Sequence, residues 1–530
     1  MPALRFPWIP IVLCCCGFAY GKPPIPTAPA PERALFEQDD GLKARNKIDE
    51  IVLADLKKKN LQPALLCSDG VFLRRVYQDI VGGIPTPEEA RAFLDDPALD
   101  KRAKLVDHLL SSPRFDDWQT LRWCDLLRVK SEFPINLWPH GAATYYRWLH
   151  EAVRTNMPYD QFARALLLGE GSNFRSGPAN FYRAVERKEP DVLAEAVAQV
   201  FLGSRTDLWP EEKRNALIVF FSRLKYKATA QWKEEIVYRD RTPLESNRVT
   251  FPDGTTGEVL PGRDPRRVFA DWLIRPENRA FHRAIANRLW FWATGQGIVH
   301  PPDDVRETNP PVCPELLDFL ADELVRQKYD LKAIYRLILN SRTYQQSTFA
   351  REKDLEKART HLAVYPVRRL EAEVLQDMLI QIFKLQIPYT SEVPEPFAYL
   401  PPRMQTIQIQ DSGVTSAFLE MFGRSTRDSG LLADRSNEVN ESQLLFMMNA
   451  TDLNNWVNRV TPQFTRSLPK SDHPKWNDRC REVADSLWLA FLSRYPSESE
   501  REMFRQMVRA GYTREVVWAM VNTREFICHH

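Results

Sequence analysis

Residues 70–96, GVFLRRVYQDIVGGIPTPEEARAFLDD, decide the fold class. Val71, Phe72, Arg75, Val76 and Ile80 recur at helical spacing and mark one helix face. Thr86-Pro87-Glu88-Glu89 then starts another helix. Thr is a capping residue, Pro at the first helical position costs no hydrogen bond, and acids in the first turn meet the positive end of the helix dipole. Upstream, Ile48, Ile51, Val52 and Leu56 keep the same period. Downstream it continues through Leu105–Leu110, Trp118–Leu127, Tyr145–Val153, Phe162–Leu168, Val192–Phe201 and Ala216–Leu224, with no alternating run between them.

Ile236–Val259 reads differently. IVYRD, RVTF and EVL are β-prone, and Asp253-Gly254 and Thr256-Gly257 supply turns. Helical periodicity returns at Arg266 with Val268, Trp272 and Leu273, then Ala284–Trp292, Leu316–Val325, Leu331–Leu339 and Val374–Leu385. Gln386–Asp411 is Pro-rich and reads as an irregular loop. Helices are expected again at Glu441–Met448, Val483–Leu492, Glu498–Val508 and Arg514–Val521. The expected fold is mainly α, with two helical domains, 42–235 and 263–527, joined by a small β-hairpin-containing segment, 236–262.

The N-terminus carries an export signature. Arg5 precedes the apolar stretch Phe6–Tyr20, and Ala19-Tyr20-Gly21 closes it with small residues. That is the layout of a secretory signal peptide over 1–21. Residues 22–41 open with the Pro-rich tether KPPIPTAPAP. A mature chain starting near Lys22 would lie in the periplasm or cell envelope. No later segment reaches the ~18 apolar residues of a membrane span. Cys67, Cys124, Cys313, Cys480 and Cys528 would remain, and their spacing forms neither a disulfide framework nor a zinc motif.

With 72 Lys and Arg against 70 Asp and Glu, the chain has no bulk field for a polyanion, which argues against nucleic-acid binding. No H-E-x-x-H or G-x-S-x-G appears. Two segments instead mix rings with hydrogen-bonding groups. Residues 127–139 hold Arg128, Glu132, Asn136 and Trp138, and residues 169–183 hold Asn173, Phe174, Arg175 and Arg183. Read as two loops that meet, they form a groove in which Trp138 and Phe174 stack on a polar ligand. Asp303 and Asp304, with Glu307 and Asn309, place oxygen ligands at a spacing that suits calcium. His529-His530 reads as a frayed tail.

Several long segments carry a resemblance. In the first half these are residues 70–96, KLVDHLLSSPRFDDWQTLRWCDLLR (104–128) and NMPYDQFARALLLGEGSNFR (156–175). In the second half they are residues 266–305, 314–347, YPVRRLEAEVLQDML (365–379), DSGVTSAFLEMFGRSTRD (411–428) and NTREF (522–526). The chain resembles the exported two-domain proteins of unknown function abundant in Planctomycetes and Verrucomicrobia, a planctomycete-cytochrome-type domain followed by a planctomycete-specific domain. Many such proteins carry a haem-type C-x-x-C-H after the F-L-G that ends the Val192–Phe201 helix. Here that place reads Ser204-Arg205-Thr206-Asp207-Leu208-Trp209-Pro210, with no thiol and no His, so covalent haem is not expected. The expected role is a non-catalytic binding or assembly protein for an envelope protein or a polysaccharide. The alternative is a polysaccharide-processing hydrolase using carboxylates such as Glu132, Asp303 or Asp304.

Overall fold

Helix starts are written into the sequence as side-chain caps. Asn46 accepts from the Ile48 amide, Ser68 from Val71 and Ser112 from Arg114, each at the head of a helix. Thr86 and Glu89 close a reciprocal capping box. The computed structural model describes residues 33–242, 246–398 and 403–530. It is mainly α-helical, and the helices Lys47–Lys58, Asp69–Val81, Pro87–Asp95, Lys101–Leu110, Pro113–Leu126, Tyr159–Leu167 and Pro190–Leu202 stand where the periodicity placed them. The signal peptide expected over 1–21 lies outside the described residues.

Among the described residues, nine short strands join the helices: β1 (Glu37–Gln38), β2 (Leu66–Cys67), β3 (Gly171–Ser172), β4 (Leu224–Ala228), β5 (Glu235–Arg239), β6 (Asn247–Thr250), β7 (Thr256–Val259), β8 (Arg368–Arg369) and β9 (Cys528–His529). β4 and β5 form a hairpin onto which β3 pairs, in the order β3-β5-β4, and β6 and β7 form a second hairpin.

Four local expectations change. The helix expected over Ala216–Leu224 ends at Ile218, and Leu224 opens β4, where pairing with Arg239 outweighs local preference. Trp138 is not the end of a loop but the first residue of the helix Trp138–Arg154. The helix Thr451–Thr465 escaped notice because Pro462 lies inside it. His529 is not frayed. β9 pairs antiparallel with β8, and His529 is fully buried.

Apolar burial gathers into two clusters. The larger one takes side chains from Ile48 to Tyr365, together with Leu489, and so runs continuously across the 236–262 segment. The second is built on residues 370–526 and receives Ile84, Trp118 and Leu121 from the first half. Each fully buried Trp or Leu in these clusters contributes about 1.5–3 kcal/mol of transfer free energy. The five cysteines among the described residues, Cys67, Cys124, Cys313, Cys480 and Cys528, form no disulfide with one another.

Candidate functional site

The two segments singled out by sequence are linked through the first turns of the helix Trp138–Arg154, and a third segment joins them. Trp138 is anchored by its amide, which donates to Ser131 O (3.1 Å) at the base of the 128–137 loop. Thr144 on the same helix donates to Phe174 O (3.0 Å), and His140 packs on the Phe174 ring with centroids 5.3 Å apart. The β4–β5 turn completes the arrangement. Asn173, wholly buried, accepts from the Glu235 amide (2.9 Å) and donates to Lys233 O (3.4 Å), which fixes the turn carrying Trp232 and Lys233. Glu234 is held from inside by Thr229 Oγ1 (2.6 Å) and Ser172 Oγ.

On this frame three rings converge at the surface. Trp138 meets Trp232 edge to face at 4.7 Å and Phe397 at 5.6 Å, with Trp232 and Phe397 6.1 Å apart. Lys233 Nζ lies 5.7 Å and 5.4 Å from the two indole centroids. Trp232 is 63 % exposed and Phe397 44 %. Large aromatics left this open, with Trp232 on a turn pinned by buried Asn173, form an apolar surface with a cation beside it.

Glu132 ties this surface to the 386–411 loop. Its carboxylate accepts from the Glu392 amide (3.3 Å) and Ser391 Oγ (3.4 Å). Burial lifts its carboxyl above the usual range, and the nearby charges of Asp411 and Glu392 add to the shift. Asp411 accepts from the amides of Ser131 and Gly413, both at 2.9 Å.

The other singled-out residues face inward or serve locally. Arg128 is buried and donates to Ser429 O (2.9 Å), Gln199 Oε1 (3.0 Å) and Ala184 O (3.4 Å). Arg183 pairs with Glu235 at 2.8 Å, and exposed Arg175 reaches Glu234 at 3.7 Å. Asn136 is exposed, and its side-chain amide donates to Pro134 O. Asp303 is buried, taking Arg288 (3.2 Å) on one oxygen and the Leu432 amide (2.6 Å) on the other, while Asp304 pairs with Arg306 (2.9 Å). Arginines thus already answer both carboxylates. Among the described residues, ligand-type atoms gather within 4.8 Å of one another only at Asp55, Cys313 and Glu315, where Lys59 already holds Asp55 at 2.6 Å.

Sequence reading missed Trp232, Lys233 and Phe397. No pattern marks them, because each becomes informative only beside Trp138. It also missed the buried polar junction around His529. Asp79 accepts there from Tyr344 (2.8 Å), Tyr365 (3.1 Å) and Arg368 (2.8 Å), and lies 3.4 Å from His529 Nδ1. His529 Nε2 is 3.2 Å from Glu371. Burial and the Arg368 charge push the imidazole pKa down. Burial alone would raise Glu371, but the His529 hydrogen bond and the guanidiniums of Arg368 and Arg122 hold its carboxyl well below the usual range. A wholly buried imidazole reaches no substrate, so His529 staples β9 to the core.

Residues 47–207 match the family described as PSCyt2, a protein of unknown function (DUF1549). Residues 265–508 match PSD1, a protein of unknown function (DUF1553). No curated protein and no solved structure matches the chain.

Proposed function

The chain belongs to the planctomycete-type two-domain proteins of unknown function, and from that premise we propose that it is an exported envelope protein that binds a polysaccharide on the Trp138–Trp232–Phe397 surface. The observation that carries this reading is the exposure of Trp232, on a turn fixed by wholly buried Asn173, and of Phe397 beside it. Indole faces stack on the C–H faces of sugars, and rings held rigid before binding lose little entropy on complex formation. Among the described residues, no helix is long and apolar enough to cross a membrane. Export follows from the signal-peptide pattern of 1–21, and N-terminal sequencing of native protein is expected to begin near Lys22.

Affinity electrophoresis in gels cast with hydroxyethyl cellulose or laminarin tests the binding role. Retardation of the full chain is expected, with affinity reduced ~30-fold in Trp138→Ala, about 2 kcal/mol for an aromatic hot spot. Equal migration of wild type and variant in every gel would remove the reading. Retention of an envelope protein with no retardation in the gels would move the ligand from polysaccharide to protein.

The hydrolase alternative has one observation in its favour, the raised Glu132 carboxyl, since a general acid must still hold its proton near working pH. Release of reducing ends that Glu132→Gln abolishes while gel retardation persists would establish it.

No haem is part of the proposal. Trp209 Nε1 donates to Ser204 Oγ (2.8 Å) across the segment where C-x-x-C-H stands in many relatives. The purified protein is expected to show no Soret band.

A further inference from the structure

Building on the polysaccharide reading, we propose that the chain held on the Trp138–Trp232–Phe397 surface is an anionic one. Its charged groups run along the outer face of the β4–β5 hairpin, on Lys233, Lys227 and Lys225.

The two faces of the hairpin follow from its register. Leu224 pairs with Arg239, Lys225 with Tyr238, Tyr226 with Val237, Lys227 with Ile236 and Ala228 with Glu235. Alternate residues of a strand share a face. Leu224, Tyr226 and Val237 therefore point one way, into the larger apolar cluster, and the Tyr226 hydroxyl donates to Tyr182 O (2.9 Å). Lys225, Lys227, Ile236 and Tyr238 point the other way. Both lysines are exposed, and Tyr238 is 40 % exposed. The two lysine positions stand about 6.8 Å apart along the strand. Ala228 and Glu235 are the pair nearest the turn, so Lys227 and then Lys225 continue a line that starts at Trp232 and Lys233.

Charge along this line is one-sided. Among the described residues, none of the three lysines forms an ion pair, and the acids around them are already answered. Glu234 lies on the outer face but is buried. It accepts from Thr229 Oγ1 (2.6 Å) and Ser172 Oγ, with exposed Arg175 at 3.7 Å. Asp240, beyond Lys225, accepts from the Thr242 amide (2.9 Å) and hydroxyl (2.6 Å) and lies 3.6 Å from Arg223. Glu235, on the inner face, pairs with Arg183 and Lys188, each at 2.8 Å. The whole chain carries a formal charge of only +2, so the attraction belongs to this strip and not to the molecule at large.

Lys233 also occupies its place at a cost. Its φ of +64° lies in the left-handed region that glycine or asparagine adopts more readily. Buried Asn173 holds it there by donating to its carbonyl (3.4 Å), which sets the ammonium beside both indoles. A sugar chain stacked on those rings places substituents next to the lysines. Lysine is a point charge with three rotatable donors, so carboxylate and sulfate both suit it.

Affinity electrophoresis of the full chain in hydroxyethyl cellulose, carboxymethyl cellulose and cellulose sulfate tests the proposal, because the three share a backbone and differ in charge. The charged chains are expected to bind at least ~10-fold more tightly than the neutral one, and the tighter of the two identifies the anion. Lys225→Gln combined with Lys227→Gln should weaken the charged chains ~10-fold and leave hydroxyethyl cellulose unchanged. The melting temperature should hold, since both side chains are exposed. Raising the salt from ~0.01 M to ~0.15 M, which shortens screening from about 30 Å to about 8 Å, should remove most of the preference.

Hydroxyethyl cellulose retained as tightly as the charged chains would overturn the proposal and leave the polysaccharide reading standing. No retention in any of the three gels would remove both. Full affinity for the charged chains in the double variant, with new self-association, would also overturn it, because the lysines would then only guard the open edge of β4. So would inorganic polyphosphate bound as tightly as the charged celluloses, since charge alone would then suffice.

Discussion

Two regions of this molecule concentrate chemically capable side chains, and they use them in opposite ways. At the junction of the two apolar clusters, Asp125 is met by Arg427 (2.9 Å) and Arg435 (2.6 Å), Glu373 by Arg435 and Arg424, and Asp79 by Arg368 and two tyrosines. Almost every charge there has its partner within the chain. At the Trp138–Trp232–Phe397 surface the rings touch one another but Trp232 and Phe397 stand open to water. A dense polar cluster is therefore a weak sign of function when it is internally complete. An open, rigidly held apolar surface is the stronger sign.

The comparison breaks most readily at Asp125. Asp125→Ala leaves buried Arg427 without a carboxylate and Arg435 with Glu373 alone, and is expected to cost about 3–5 kcal/mol, read as a lower urea midpoint. An unchanged midpoint would mean that the junction is not the staple described here. Trp232→Ala is the mirror case. It should reduce polysaccharide affinity ~30-fold, about 2 kcal/mol, while shifting stability by no more than ~0.5 kcal/mol. A large fall in stability would make the surface scaffold instead.

Two pH experiments sharpen the contrast through opposite signs. Glu371 is depressed in the folded state, so its contribution is present above the ordinary glutamate range and is lost as pH falls through that range toward the folded value. Stability should decline on acidification, and Glu371→Gln should flatten that decline. Glu132 is raised in the folded state, so its folded form keeps a proton that the unfolded chain has released, and stability slopes gently downward as pH rises just above the ordinary glutamate range. This is the smallest effect, because Glu132 is partly solvated. Urea midpoints measured across that window, with and without Glu132→Gln, should differ only in that slope.

Much of the fold was legible because its signals are local. The capping residue Thr86, the 3.6-residue spacing of Val71, Val76 and Ile80, and the turns around Asp253-Gly254 act within a few residues of themselves. Half of the candidate surface was legible too. Trp138 and Glu132 drew notice as a ring and a carboxylate in one short segment. Arg128 and Asn173 drew the same notice, yet they are internal braces, since residue type alone does not tell a buried brace from a ligand contact.

The sequence by itself thus determined the helical class, helix starts such as Thr86-Pro87, and the family, all of which depend on short-range signals or on long matching segments. Tertiary structure alone decided that the apolar core runs through 236–262, that His529 is pinned between Asp79 and Glu371, and that Trp232 and Phe397 come to stand beside Trp138. Those outcomes join residues up to 450 positions apart, as His529 and Asp79 are (529 − 79 = 450). At such separations no local pattern survives, and only the competition for burial and for hydrogen-bond partners selects which residues meet.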